Sequence, residues 1–176
     1  MIFRESRLKG CFFIDLEKRE DSRGFFARTF CNKEFESNGL HAAFVQCNVS
    51  FNHRRGTLRG MHFQISPFEE AKLIRCTRGS IFDAVIDLRA SSPTFRQHLT
   101  VILSAETGNM LYVPEGFAHG FQTLEDNTEV FYQMSQFYAP EFASGVRWND
   151  PAFGIKWPDA ERIIIDRDQS YPDFKS

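Results

Sequence analysis

The chain has 176 residues, with 21 Lys and Arg against 23 Asp and Glu and a formal net charge of -2, so no global field draws it to nucleic acid or an acidic membrane surface. Its length and 42% hydrophobic content suit one domain, 1–176, with a sizeable core. Four cysteines without a CxxC pair, and no signal-like or bilayer-length apolar segment, lead us to expect a cytoplasmic protein with reduced thiols and no membrane partner.

Residues 12–17 and 25–30 read as strands, and 32–39 is the best helical candidate, with Asn32 and Gly39 as weak cap signals at its two ends. Arg59-Gly60-Met61-His62-Phe63-Gln64 reads as a further strand. Beyond it, 73–77 and 81–89 flank Arg78-Gly79-Ser80, 98–104 and 110–113 flank a turn at 105–109, and 128–138 follows Glu125-Asp126-Asn127. Short strands at this spacing predict an all-β antiparallel sandwich or barrel, with a jelly roll as the leading architecture and only a few short helices. Trp148-Asn149-Asp150-Pro151 and Lys156-Trp157-Pro158 are turn-like, and the chain then runs into a polar tail. Its 20 phenylalanines are scattered, as core and interface packing requires.

Candidate chemistry begins with His62, which has Lys72 and Asp83 downstream on strand-like segments and therefore a base, a cation and a carboxylate for proton transfer. A single strand histidine is more often a hydrogen-bonded core residue than a catalyst, so parity has to be consulted. Side chains alternate along a strand, which puts Gly60, His62 and Gln64 on one face and Arg59, Met61 and Phe63 on the other. Only a bulge at Gly60 would bring Arg59 round to the side of His62. Tyr132, Met134, Gln136 and Tyr138 share a face by the same rule. Asp83, Val85 and Asp87 share another, opposite Phe82, Ala84, Ile86 and Leu88; if it is interior, the acids need partners such as His62, Lys72 or Arg75, and if it is solvent they mean little. Metal sites on strands usually take ligands at i and i+2; His62 has Gln64 at that offset and His119 stands apart, so no metal site is assigned. No nucleophile elbow supports serine or cysteine chemistry.

Taken in order, Asp21-Ser22-Arg23-Gly24-Phe25-Phe26, Gln46-Cys47-Asn48-Val49-Ser50, Leu58 to Gln64, Lys72-Leu73-Ile74-Arg75, Asp83 to Arg89, Ser92-Pro93-Thr94-Phe95, Pro114-Glu115-Gly116-Phe117-Ala118-His119-Gly120-Phe121 and Trp148-Asn149-Asp150-Pro151 closely resemble the dTDP-4-dehydrorhamnose 3,5-epimerase family. The resemblance covers nearly the whole chain and implies a cupin-like jelly roll that works without metal or other cofactor. It further implies a nucleotide-linked 4-keto-6-deoxy sugar inverted at C3, C5 or both, in polysaccharide or deoxysugar biosynthesis. His62 resembles the family's base, Asp168 its orienting partner, Lys72 the cation near the ketone oxygen and Tyr132 the acid on the far face. Arg59 and His119 resemble contacts to pyrophosphate and sugar; Gln46, Asn48 and Tyr138 resemble contacts to nucleotide or sugar; Asp83 stands behind them. Arg23 and Phe26 match a segment that reaches the neighbouring subunit's site, implying a homodimer with exchanged strands. Arg28 falls where thymidine-nucleotide members commonly carry a glutamate, so it is expected to meet the nucleotide differently, and a cytidine- or guanosine-linked sugar stays an alternative. A sugar-binding jelly roll without turnover is the alternative of another class.

Overall fold

The computed structural model describes residues 1–159 and 161–174. Two antiparallel sheets dominate it. One has six strands: β1 (Ile2–Glu5), β2 (Phe12–Asp15), β5 (Gln46–Asn52), β7 (Lys72–Arg78), β10 (Met110–Val113) and β12 (Thr128–Met134), in the order β1-β2-β10-β7-β12-β5. The other has five: β6 (Leu58–Gln64), β8 (Ser80–Asp87), β9 (His98–Ser104), β11 (Phe117–Thr123) and β13 (Ala143–Gly145), in the order β13-β6-β11-β8-β9. Facing antiparallel sheets with crossovers between distant strands make a jelly-roll sandwich. A separate ribbon joins β3 (Arg19–Asp21) to β4 (Gly24–Phe26). Helices are short: α1 (Asn32–Ser37) and α2 (Asp166–Gln169).

Period-two alternation sets the layers. On β7, Ile74 and Cys76 point between the sheets while Leu73 points outward; on β10, Leu111 and Val113 point in while Met110 and Tyr112 point out. From the other sheet Ile81, Val85, Leu103, Phe117 and Phe121 meet them, forming the central core. Behind the six-stranded sheet, α1 inserts the fully buried Phe35 among Phe3, Phe30, Phe44 and Tyr112, with ring centroids 5.0–6.1 Å apart. Behind the five-stranded sheet, Phe153 and Trp157 cover Ala84, Ile86 and Ala118.

β8 is therefore buried on both faces. The side carrying Asp83, Val85 and Asp87 is interior, and neither aspartate takes a partner from His62, Lys72 or Arg75. Asp83 Oδ2 lies 2.8 Å from His119 Nε2. Asp87 accepts hydrogen bonds from Arg89 Nε (2.9 Å) and Nη2 (2.7 Å), Ser92 Oγ (2.5 Å) and Thr94 Oγ1 (2.7 Å), which ties down the turn between β8 and β9. Burial alone would raise the Asp87 carboxyl, but the Arg89 guanidinium, the two hydroxyls and the Arg89 amide outweigh it and hold the group at about 2.

Because that value lies below the ordinary carboxylate range, the interaction stabilises the fold fully above the unfolded-state value of about 3.9 and is lost as pH falls toward about 2. Asp87→Asn should cost about 3 kcal/mol at neutral pH and flatten the loss of stability in that acid window, read by urea unfolding at several pH values. Parent stability in the variant would show the cluster to be energetically idle.

Candidate active site

A cavity of about 740 Å³ opens between the sheets, walled by β6 and β11 on one side and by β5, β7 and β12 on the other. Strict alternation on β6 would have turned Arg59 away from His62, yet both line this cavity. The reason is a bulge. His62 pairs with His119 and Arg59 with Phe121, so three steps on β6 match two on β11. Gly60 absorbs the extra residue with φ +131°, and a Cβ there would stand 2.5 Å from the Gly120 Cα. The same register sets His119 directly across from His62 rather than apart from it.

The C-terminal segment completes the wall. It docks on the start of β6 through a parallel bridge between Thr57 and Ile163, and Leu58 N donates to Ile163 O at 2.9 Å. That contact aims α2 at the bulge. Buried Asp168 accepts from the Gly60 amide through Oδ2 (3.1 Å) and from Arg167 Nε through Oδ1 (3.2 Å), and the same Oδ1 lies 2.8 Å from His62 Nε2. Burial pushes the Asp168 carboxyl up; His62, the Gly60 amide and Arg167 together bring it below its ordinary range. A carboxylate accepts only, so the hydrogen between the pair sits on Nε2 and leaves Nδ1 as the basic nitrogen. Tyr171 stands edge-on to His62 at 6.2 Å between ring centroids, and its ring occupies the space that a Cβ on Gly145 would take.

The opposite wall holds Tyr132, with Asn48 beside it in the β5–β12 register and Gln46 beside Met134. Burial raises the Tyr132 phenol above its ordinary value, which keeps it protonated at neutral pH and able to donate. Lys72 is buried, with Nζ 2.9 Å from Glu70 Oε1. Arg59 Nε donates to Asn52 Oδ1 at 2.8 Å, and the exposed Tyr138 donates its amide to Gln46 Oε1 at 3.2 Å. Asp83 is fully buried behind His119, and burial raises its carboxyl despite His119 and Lys72 nearby.

His62, Asp168, Lys72, Tyr132, Arg59, His119, Gln46, Asn48 and Tyr138 thus converge, Asp168 from behind His62. Arg23, Phe26 and Arg28 do not line this cavity. Arg23 is held by Asp21 at 2.6 Å on the exposed β3–β4 ribbon, and Arg28 Nη1 pairs with Glu34 Oε1 of α1 at 2.6 Å. Glu70, Arg167 and Tyr171 line the cavity without having been singled out from the sequence. Their signals were Glu70 two residues before Lys72, and Arg167 and Tyr171 flanking Asp168. Among the described residues, no three His, Cys, Asp or Glu side chains are grouped to hold a metal ion. No helix among them is long and apolar enough to cross a membrane.

An imidazole backed by a carboxylate, facing a protonated phenol and an ammonium across a polar cavity in a jelly roll, is a set of groups able to take up and give back protons on opposite sides of a bound molecule. The chain belongs to the dTDP-4-dehydrorhamnose 3,5-epimerase family, an isomerase family whose model matches residues 5–176. It is 40% identical over 173 residues to a dTDP-4-dehydrorhamnose 3,5-epimerase of Sinorhizobium fredii, covering 98% of this chain and 89% of that one. Crystal structures of enzymes so named from Elizabethkingia anophelis and Bacillus anthracis superpose with TM-scores of 0.96 and 0.94. They are 38% and 40% identical, and the matches cover 99% and 98% of this chain and 96% and 99% of theirs; the Bacillus structure has TDP and PPi bound.

Gly60→Ala should destabilise the fold by about 2–3 kcal/mol, since Ala resists this φ and its methyl meets the Gly120 backbone. Chemical denaturation tests this, and an unchanged midpoint would show that the bulge does not need glycine.

Proposed function

We propose that this protein epimerises a dTDP-linked 4-keto-6-deoxyhexose at C3 and C5. The observation that carries the reading is that the His62–Asp168 pair and Tyr132 line one cavity from opposite sheets. The 4-keto group acidifies the hydrogens on its neighbouring carbons. His62 Nδ1 removes one of them, and Asp168 stabilises the imidazolium that results. The electrons move into the ring as an enolate whose oxygen faces the Lys72 ammonium, where positive charge is worth most. Tyr132 then delivers a proton from the other face of the ring, and the centre is inverted.

Arg59 and His119 take the pyrophosphate and sugar, and Gln46, Asn48 and Tyr138 take the sugar and base. Thymidine as the base is supported by the family name and by the TDP in the Bacillus relative. Arg28 is compatible with it, because its charge is already matched by Glu34 within the chain. We further propose a homodimer in which the β3–β4 ribbon reaches the partner's cavity. Support comes from Phe25 and Phe26, 54% and 72% exposed on a ribbon that does not line its own chain's cavity. The four cysteines are all free, which suits the reducing cytoplasm.

Proton NMR in deuterium oxide with dTDP-4-keto-6-deoxyglucose tests the chemistry, with deuterium expected at both C3 and C5. His62→Ala should lower exchange by about 10²–10⁴-fold while the melting transition stays near the parent's. Exchange at the parent rate in that variant would remove His62 as the base. Tyr132→Phe should retain abstraction better than inversion, since it loses the far-face donor and keeps the base; full inversion in that variant would refute the assignment.

A further inference from the structure

The cavity faces its contents with the cations Arg59, Lys72 and Arg167 and the imidazoles of His62 and His119. Among the described residues lining it, Glu70 is the sole carboxylate; Asp83 and Asp168 stand behind their histidines. A carboxylate beside a bound diphosphate opposes binding by like-charge repulsion, so substrate affinity does not account for it. Glu70 leads into β7 two residues before Lys72, and the two charged groups meet at 2.9 Å with both side chains 9% exposed.

Resting on the epimerase reading above, we propose that Glu70 is a positioning residue: its carboxylate holds the Lys72 ammonium at the cavity wall and puts a negative charge into the cavity that Tyr132 lines, so that ammonium and phenolic proton are both ready for the enolate. Register supports it. β7 sets Lys72 opposite Met134 and Ile74 opposite Tyr132, so Lys72 and Tyr132 point inward from the same sheet one rung apart. An ammonium enclosed without a counter-charge is costly and would be drawn toward solvent; Glu70, 2.9 Å away, holds it at the wall. When the sugar's oxygen becomes anionic, the ammonium is already in place to meet it. The titratable and charged groups that line the cavity with Tyr132 are Arg59 and His62 from β6, Glu70 just before β7 and Lys72 at its start, His119 from β11, Tyr138 after β12, and Arg167 and Tyr171 from the C-terminal segment. Burial is what chiefly raises the phenol; Arg59 and a hydrogen bond with Asn48 lower it, and Glu70 acts in the raising direction.

The test is kcat and KM from about pH 6 to 11 for the parent, Glu70→Gln and Glu70→Asp. In Glu70→Gln the alkaline limb of kcat should move to lower pH, because the phenol ionises more easily without the neighbouring negative charge. At neutral pH, kcat should fall about tenfold with KM unchanged or lower, since a repulsive group has left. In Glu70→Asp the charge remains on a shorter stem, so the limb should stay in place while kcat falls as the ammonium is drawn back. A parent limb and parent kcat in Glu70→Gln, or a loss confined to thermal stability, would overturn the proposal. If Glu70→Gln does not fold, Glu70→Asp decides, and parent kcat there overturns it equally. An inactive parent sinks the epimerase reading itself, whereas an active parent with an unmoved Glu70→Gln sinks only the role of Glu70.

Discussion

The site depends on the close approach of Gly60 and Gly120, two neighbouring backbones with no room for a side chain between them. An ordinary pair of strands would present either Arg59 or His62 to the interior. One inserted residue on β6 presents both, and the Gly60 amide freed by the bulge donates to Asp168. The irregularity therefore aims two side chains and anchors the carboxylate behind one of them.

Two histidine–aspartate pairs stand side by side, each with an N···O separation of 2.8 Å, and their electrostatics diverge. Asp168 has three donors around it, and together they outweigh its burial. Asp83 is wholly enclosed, its Oδ1 has no partner among the described residues, and burial prevails. Ionisation is thus favoured behind His62 and costly behind His119. The first arrangement sets a firm negative charge behind its imidazole; the second does not. Equal distances conceal this difference, which comes from the remaining lone pairs.

Strands that face a packed core were legible in the sequence: 98–104 and 110–113 fall on β9 and β10 at the expected residues, and β7, β8 and β12 lie close to theirs. Two of the strands that face the cavity, β5 and β11, were not assigned. On β5 the half-buried residues are the polar Gln46, Asn48 and Ser50, while Val49 and Phe51 are 57% and 38% exposed. A polar cavity inverts the usual apolar-in pattern, so β5 does not read as a core strand. β11 is buried throughout and carries Gly120 for the close approach, so its sequence resembles a turn. The strand expected at 25–30 ends at Phe26, because Phe30 and Arg28 are drawn to Phe35 and Glu34 of α1. Of the site, His62 and Lys72 stood out by residue type, and family resemblance gave them roles and added Asp168 and the acid Tyr132. Parity supported Tyr132 and left Arg59 conditional on the bulge. Glu70 escaped notice because its one signal, a place two residues before Lys72, falls in a loop, where parity does not decide which side chains are enclosed.

His62 and Arg59 belong to one sheet and Tyr132 and Lys72 to the other, with Ile74, Val85, Phe117, Phe121 and Val130 packed between. These aliphatic and aromatic side chains set the gap between the His62 imidazole and the Tyr132 phenol. Close-packed interiors transmit volume changes rather than absorb them. Trimming or enlarging the filling would alter the span between the imidazole and the phenol, so the stability of the sandwich and the width of its cavity are adjusted by the same hydrocarbon.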